Sequence, residues 1–299
     1  MDRLWTVVLA AGAGRRLAEV TGGVPKQFWR GLSGRSLLEA TVDRFSLVAP
    51  RDRTVVVIGY GHRAFLTDSP IDRQVAAIAV QPLDRGTATG VRLGILTAVA
   101  AGAGEDDVLV VTPSDHGIAD QVQFRRAVVG AVRHVRTHEG PVVFGAQPTA
   151  PCSDYGWITP GQVGRATQVK PVEAFVEKPA PEIARQLFDS GAVWNTMVVV
   201  ARVRIFRRLF DELVPELAGT FTAAEHVPEP ERPGFLAAAY QTLHSFDFSH
   251  DVLRAARGLS TCIWPATVGW SDLGTPERLF EWQHRMNSHA PQGSAVTAA

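Results

Sequence analysis

The residues with most chemical potential stand near the start of the chain. Ala10-Ala11-Gly12-Ala13-Gly14-Arg15-Arg16 is a run of small side chains ending in two guanidinium groups. Small residues let a backbone turn tightly and set several N–H groups against an anion. Arg16 adds a planar fork suited to phosphate oxygens, and Lys26 a mobile point charge. Together they read as a site for a polyphosphate. Two carboxylates suggest a metal. Asp115 directly follows the apolar run Val108 to Thr112, and Asp272 lies in Gly269-Trp270-Ser271-Asp272-Leu273-Gly274, a turn flanked by glycines. Carboxylates so distant in sequence can jointly hold Mg²⁺, which takes one or two of them and completes its shell with substrate phosphates and water. Each is also the kind of Asp that simply caps or turns a chain. His116 reads as a packing or hydrogen-bonding histidine, and HExxH and CxxC patterns are absent.

Two familiar phosphate loops fit the glycines poorly. A dinucleotide fold needs an acid about twenty residues on for the ribose, and Leu32-Ser33-Gly34-Arg35 offers none. A P-loop needs Gly-Lys-Ser/Thr where this chain has Arg15-Arg16-Leu17. An ordinary strand-to-helix turn bearing two surface arginines is the plain alternative.

The elements that must carry these residues alternate between apolar runs and amphipathic stretches, as in a mostly parallel sheet covered by helices. Strands are expected at Leu4–Leu9, Thr54–Ile58, Ala77–Gln81, Val108–Thr112, Val142–Ala146, Tyr155–Thr159, Val172–Val176, Trp194–Ala201 (a central one) and Thr261–Val268. Helices are expected at Arg35–Leu47, Ala88–Ala101, Asp120–Thr137 and Pro181–Phe188, with proline-broken helices over Val203–Leu243 and a last one opened by Thr275-Pro276. In open α/β sheets ligands lie beyond the carboxyl ends of the strands. That places the first loop, Gln81–Thr87, Pro113–His116 and Glu177-Lys178-Pro179 at one crevice. One domain over residues 1–285 is expected, with a patternless polar tail over 286–299.

Gly12, Gly14, Arg16 and Leu17 followed by Pro25-Lys26-Gln27-Phe28 resemble the opening of sugar-1-phosphate nucleotidyltransferases. Gln81-Pro82, Arg85-Gly86-Thr87, Pro113-Ser114-Asp115-His116, Tyr155-Gly156-Trp157, Phe175-Val176-Glu177-Lys178-Pro179, Trp194-Asn195 and Trp270 to Gly274 follow in the order seen in mannose-1-phosphate guanylyltransferases. The resemblance covers nearly the whole chain to about Phe280. It implies an α/β Rossmann-like nucleotidyltransferase fold, its mixed, mostly parallel sheet covered by helices on both faces. It also implies transfer of a nucleoside monophosphate from an NTP, GTP favoured, to a sugar 1-phosphate, mannose 1-phosphate favoured, with Mg²⁺. Carried over, Arg16, Lys26 and Lys178 are catalytic, with Lys178 on the sugar phosphate, and Asp115 and Asp272 hold the metal. Leu9, Ala10, Ala11, Gly12, Gly14, Gln81, Arg85, Gly86 and Thr87 bind nucleotide, while Gly156, Glu177 and Asn195 contact the sugar. The chain departs from the pattern where Arg85-Gly86-Thr87-Ala88-Thr89 replaces Arg-Asn-Thr-Ala-Pro, where Thr196-Met197 replaces Ser-Gly, and where Arg15 replaces Thr. A cytidylyltransferase of the methylerythritol type and a catalytically silent sugar-nucleotide sensor are the rival readings.

Composition bounds the setting. With 30 basic and 30 acidic side chains the formal charge is zero, so neither nucleic acid nor a membrane is an expected partner. Cys152 and Cys262 are too few for a disulfide framework, which fits a reducing compartment and a cytoplasmic location. No signal-peptide layout is visible. A homodimer is the assembly kept open.

Overall fold

The computed structural model describes residues 3–31, 34–67, 69–162 and 168–288. Valine-rich runs form strands here because a strand buried on both faces needs no polar alternation. β1 (Leu4–Ala10), β2 (Thr54–Gly59), β3 (Ala77–Gln81) and β4 (Val108–Pro113) pair in parallel in the order β3-β2-β1-β4. β5 (Val142–Ala146), β6 (Gly156–Pro160), β7 (Val169–Glu177), β8 (Val193–Arg202) and β9 (Ser260–Trp264) continue the sheet as β8-β5-β9-β7-β6. β8 runs antiparallel to both β4 and β5, so it forms the centre of the sheet, as the three consecutive valines indicate. β9 is parallel to β5, β7 antiparallel to β9, and β6 antiparallel to β7 and β8. By pairing sense, every strand but β7 and β8 shares one direction.

The helices are α1 (Ala18–Thr21), α2 (Leu37–Ser46), α3 (Ile71–Gln74), α4 (Gly86–Ala100), α5 (Gln121–Val135), α6 (Pro181–Asp189), α7 (Val203–Leu213), α8 (Pro215–His226), α9 (Arg232–Thr242) and α10 (Pro276–Ser288). They cover both faces, and the period of two along each strand decides which. Val7, Val57, Val111 and Val199 face Val91 and Ile95 of α4 together with Phe206 and Phe221 of α7 and α8. On the other face Val110, Val200 and Phe144 meet Phe124, Val128 and Val132 of α5. Val8, Val56 and Ile58 there meet Leu38 and Val42 of α2. Among the described residues no helix is long and apolar enough to cross a membrane.

Local chemistry sets the ends. Ser36 and Glu39 form a reciprocal capping box that starts α2 at Leu37, later than Arg35. The last strand is shorter than expected: it stops at Trp264, because Pro265 has no N–H to give a neighbour and begins the turn Ala266–Val268. β7 instead starts earlier, at Val169. Pro215 at the first position of α8 divides the helical stretch that follows β8. Of the expected tail, 289–299 lies outside the described residues.

α4 crosses β1 so closely that a Cβ at Gly94 would run into Val7 Cγ1, a methyl fixed in the sheet. Gly94→Ala gains about 1 kcal/mol in helix propensity but overpacks a buried contact, which costs about 1–3 kcal/mol. The expected net result is a loss of up to about 2 kcal/mol in a urea melt; a stabilised variant would show that α4 can lift off β1 at little cost.

Candidate active site

The glycine loop is shaped by one buried amide. Gln27, 2 % exposed, donates through Nε2 to the carbonyls of Ala10 (2.9 Å) and Gly12 (2.7 Å). A peptide's C=O and N–H point opposite ways, so fixing those two carbonyls on Gln27 sends the N–H groups that follow them to the other side. Gly14 has φ +64°, and a Cβ there would lie 2.8 Å from the Lys26 nitrogen. The turn therefore needs glycine both for its backbone angle and for its closeness to Pro25-Lys26. The Leu9 carbonyl accepts from Ser114 N at 3.0 Å, which ties the loop to the end of β4.

Asp115 and Asp272 meet through the main chain. Gly117 and Ser271 form an antiparallel bridge, N to O at 2.8 and 3.1 Å in the two directions. Asp115 and Asp272 therefore flank one short two-stranded contact. Lys26 closes the group: its Nζ lies 3.0 Å from Asp115 Oδ2 and donates to the carbonyls of Asp272 (2.6 Å) and Leu273 (3.2 Å). Asp272 Oδ1 accepts from the Tyr155 hydroxyl at 2.8 Å and from Gly274 N at 3.1 Å. Arg278, in the first turn of α10, reaches the same carboxylate at 3.3–3.4 Å and pairs with Asp154 at 2.8 Å. Burial pushes the Asp272 carboxyl up, but Arg278, Lys26 and the Tyr155 hydroxyl outweigh it and hold the group below the usual carboxylate range. Tyr155 is raised, by burial first and then by Asp272. His116 accepts a hydrogen bond from Trp270 Nε1 at 3.2 Å, and burial drives it down to about 4, so it is the neutral packing histidine expected.

Gly156, Glu177 and Asn195 also converge. Gly156 pairs with Glu177 across β6 and β7, and a Cβ on Gly156 would run into Glu177 Oε2 and lie 3.2 Å from Asn195 Cβ. Glu177 Oε2 is buried without a hydrogen-bond partner, and burial raises the carboxyl. These residues line a cleft of about 590 Å³ with Leu9, Ala11, Gly12, Arg16, Lys26, Gln81, Gly86, Thr87, Asp115 and Asp272. Four residues expected at the site do not line it. Arg85 is turned away, donating to the carbonyls of Tyr240 (2.7 Å) and Gln241 (3.1 Å) at the end of α9. A guanidinium so held is a strut for α9, so the Arg85 side chain is committed there and not to the cleft. Lys178 is 63 % exposed, 3.5 Å from Glu177 Oε1. Ala10 is buried in the sheet and Gly14 packs on Pro25, so both shape the loop from behind. Thr87 lines the cleft with its hydroxyl already engaged, donating to Asp247 at 3.3 Å and accepting from Phe248 N at 2.8 Å.

A model of the nucleotidyl transferase family matches residues 5–289. The chain belongs to that family. It is 27% identical to the mannose-1-phosphate guanylyltransferase ManC of Salmonella typhimurium, over 98% of this chain and 61% of that protein. A mannose-1-phosphate guanylyltransferase of Escherichia coli is also 27% identical, over 98% of this chain and 62% of its own length. The chain thus spans about three fifths of these curated relatives. A crystal structure titled mannose-1-phosphate geranyltransferase, from Thermus thermophilus, superposes with a TM-score of 0.80 at 27% identity, over 91% of this chain and 76% of that one.

Several residues that line the cleft carry no signal in the sequence. Ser245, Asp247 and Ser249 line it; they come from a segment that seats Phe246 against Gly86 (φ +81°) and donates Phe246 N to the Arg85 carbonyl at 3.1 Å. Nothing in that stretch has a period or motif, so no local signal marks it. Arg278 likewise has only its place in a capped helix. Backbone strain is the sign that only coordinates supply. The non-glycine residues with positive φ among those described are Lys178 (+45°), Met197 (+57°) and Leu273 (+49°). They adjoin or closely follow Glu177, Asn195 and Asp272, and such outliers cluster at functional sites. Size is a poorer guide. A larger cavity of about 1270 Å³ lies between α10 and residues 147–152, but it lacks the glycine loop, Lys26 and both metal-candidate carboxylates.

Because Gln27 satisfies two loop carbonyls, Gln27→Leu should cost about 1–3 kcal/mol for the buried groups left unpaired, read by urea denaturation. A variant as stable as the parent would mean that water replaces the amide and that Gln27 does not set the loop.

Proposed function

We propose that this nucleotidyl transferase moves a nucleoside monophosphate from an NTP to a sugar 1-phosphate, releasing pyrophosphate. GTP and mannose 1-phosphate are the favoured pair, supported by the names of the relatives at 27% identity. The observation that carries the reading is the Lys26 ammonium, set against Asp115 and the main chain at Asp272 beside a glycine turn in one cleft.

The chemistry asks little covalent work of the protein. A phosphate oxygen of the sugar 1-phosphate attacks the α-phosphorus of the NTP; a new P–O bond forms as the bond to the bridging oxygen breaks, and that electron pair leaves on pyrophosphate. The attacking oxygen is already anionic near neutral pH, so a general base is unnecessary. The obstacle is bringing two polyanions together, so charge neutralisation and alignment carry the rate. In this reading the glycine loop N–H groups and Arg16 hold the triphosphate, with Lys26 adding positive charge. Leu9, Ala11 and Gln81 border the nucleoside, while Glu177, Asn195 and Gly156 border the sugar. Lys178, exposed beside Glu177, is the cation assigned to the sugar phosphate.

Asp115 and Asp272 suit Mg²⁺: hard oxygen donors on one cleft, Asp272 kept ionised, and too few in number for a protein cage, which leaves positions for phosphates. Bound there, the ion would neutralise charge on the triphosphate and on the departing pyrophosphate.

Two measurements test the proposal. Pyrophosphate release should appear when four NTPs are crossed with mannose, glucose, galactose and heptose 1-phosphates in the presence of Mg²⁺. A protein whose melting temperature rises with these ligands but which turns over none of them is a sensor. Asp115→Asn and Asp272→Asn should each lower kcat by about 10²–10³-fold. The fold should survive, because the remaining amide oxygen of residue 272 can still accept from Tyr155 and Gly274. Near-parental kcat in either purified variant removes that carboxylate from the mechanism.

A further inference from the structure

Met197 holds a left-handed backbone, φ +57°, that costs a residue with a Cβ about 1–2 kcal/mol relative to glycine. The conformation is imposed from several sides. Met197 N donates to Asn195 Oδ1 at 2.9 Å, and Thr196 Oγ1 donates to the Phe144 carbonyl at 2.7 Å and accepts from Val198 N at 3.3 Å. The β5–β8 register shifts between Val143 and Gly145, opposite this turn. A glycine would satisfy the backbone without strain, yet the chain places there a long side chain that lines the cleft.

The lining of the cleft shows what that side chain borders. Leu9 of β1 pairs with Pro113 of β4. Val111 of β4 faces Val199 of β8 in the last pair of that ladder, and β8 bulges where Met197 stands. Leu9, Pro113 and Met197 all line the cleft. Leu9 and Met197 both pack against the core on the α4 side. They are apolar members of a lining that also holds Ala11, Tyr155 and Trp270 beside its charged and polar groups. Pro113 is rigid and Leu9 lies within a central strand, whereas methionine has three rotatable bonds and fills what space it finds. Met197 is hydrogen-bonded to Asn195 and lines the cleft with it and with Glu177.

We infer that Met197 determines sugar specificity: its side chain takes the volume that a bulky substituent on the sugar 1-phosphate would need, and so selects an unsubstituted hexose 1-phosphate. This rests on the reading of the cleft as a sugar-1-phosphate site. Met197→Gly removes both the bulk and the strain, and should open the cleft beside Asn195 without disturbing the NTP end.

The test compares kcat/KM for glucose 1-phosphate and N-acetylglucosamine 1-phosphate, and for mannose 1-phosphate as a second unsubstituted hexose, with the NTP that wild type uses best. In Met197→Gly the ratio of acetamido to unsubstituted substrate should rise at least tenfold, with KM for the NTP within twofold of wild type. Met197→Leu, of similar volume, should keep the wild-type ratio. Should the glycine variant fail to fold, Met197→Asn, smaller and tolerant of the left-handed backbone, carries the same readout. An unchanged ratio in a folded, NTP-binding small variant overturns the role given to Met197 and leaves the activity standing. Wild-type protein that binds NTP yet releases no pyrophosphate with any sugar 1-phosphate overturns the activity, and this inference with it.

Discussion

The two-way main-chain bridge between Gly117 and Ser271 is the constraint from which the cleft follows. It joins the exit of β4, deep in the parallel half of the sheet, to a turn just before the last helix. Without it Asp115 and Asp272 would belong to unrelated surfaces. With it both residues border one cleft, where burial works against the charge on Asp272. Two cations compensate. Lys26 approaches from the glycine loop and Arg278 from α10, so the acidic pair is held between elements from opposite ends of the chain.

That balance also explains why α10 is integral to the site. Arg278 touches the Asp272 carboxylate, pairs with Asp154 and stacks 4.7 Å above the Tyr155 ring. The Tyr155 hydroxyl in turn donates to Asp272. A shift of α10 would alter the charge surrounding Asp272 before it altered any packing in the sheet.

Strain is concentrated in the same region. Three left-handed residues with side chains, at about 1–3 kcal/mol each, take up a sizeable fraction of the stability of an ordinary domain. They persist because paired backbone holds at least one side of each turn: Lys178 leaves β7 directly after the Gly156–Glu177 pair, Met197 sits inside β8, and Leu273 follows the Gly117–Ser271 bridge. The Leu273 turn gives Lys26 two successive carbonyls to bind. The rigidity that defines the cleft is thus drawn from the valine core beneath it.

Sequence alone determined the parts of this protein governed by local chemistry. Short valine runs of strand length read as buried strands, so nearly every strand was legible, and the alternation with helices gave a mostly parallel sheet; the reversed directions of β7 and β8 came only from the fold. The small-residue loop with its arginine, and an acid just past a buried strand, could be picked out from residue type and position alone, and the fold brings both to one cleft. Tertiary structure decided what depends on long-range closure. Arg85 looked like a ligand residue until its guanidinium was found on the carbonyls of α9. Gln27 looked like one letter of a motif until it was found holding two loop carbonyls. Asp247, Ser249 and Arg278 carry no periodic or motif signal, because their role comes from where a connecting segment or a distant helix happens to dock. A side chain's direction and its partners are set by packing across the sheet, and no window of neighbouring residues contains that information.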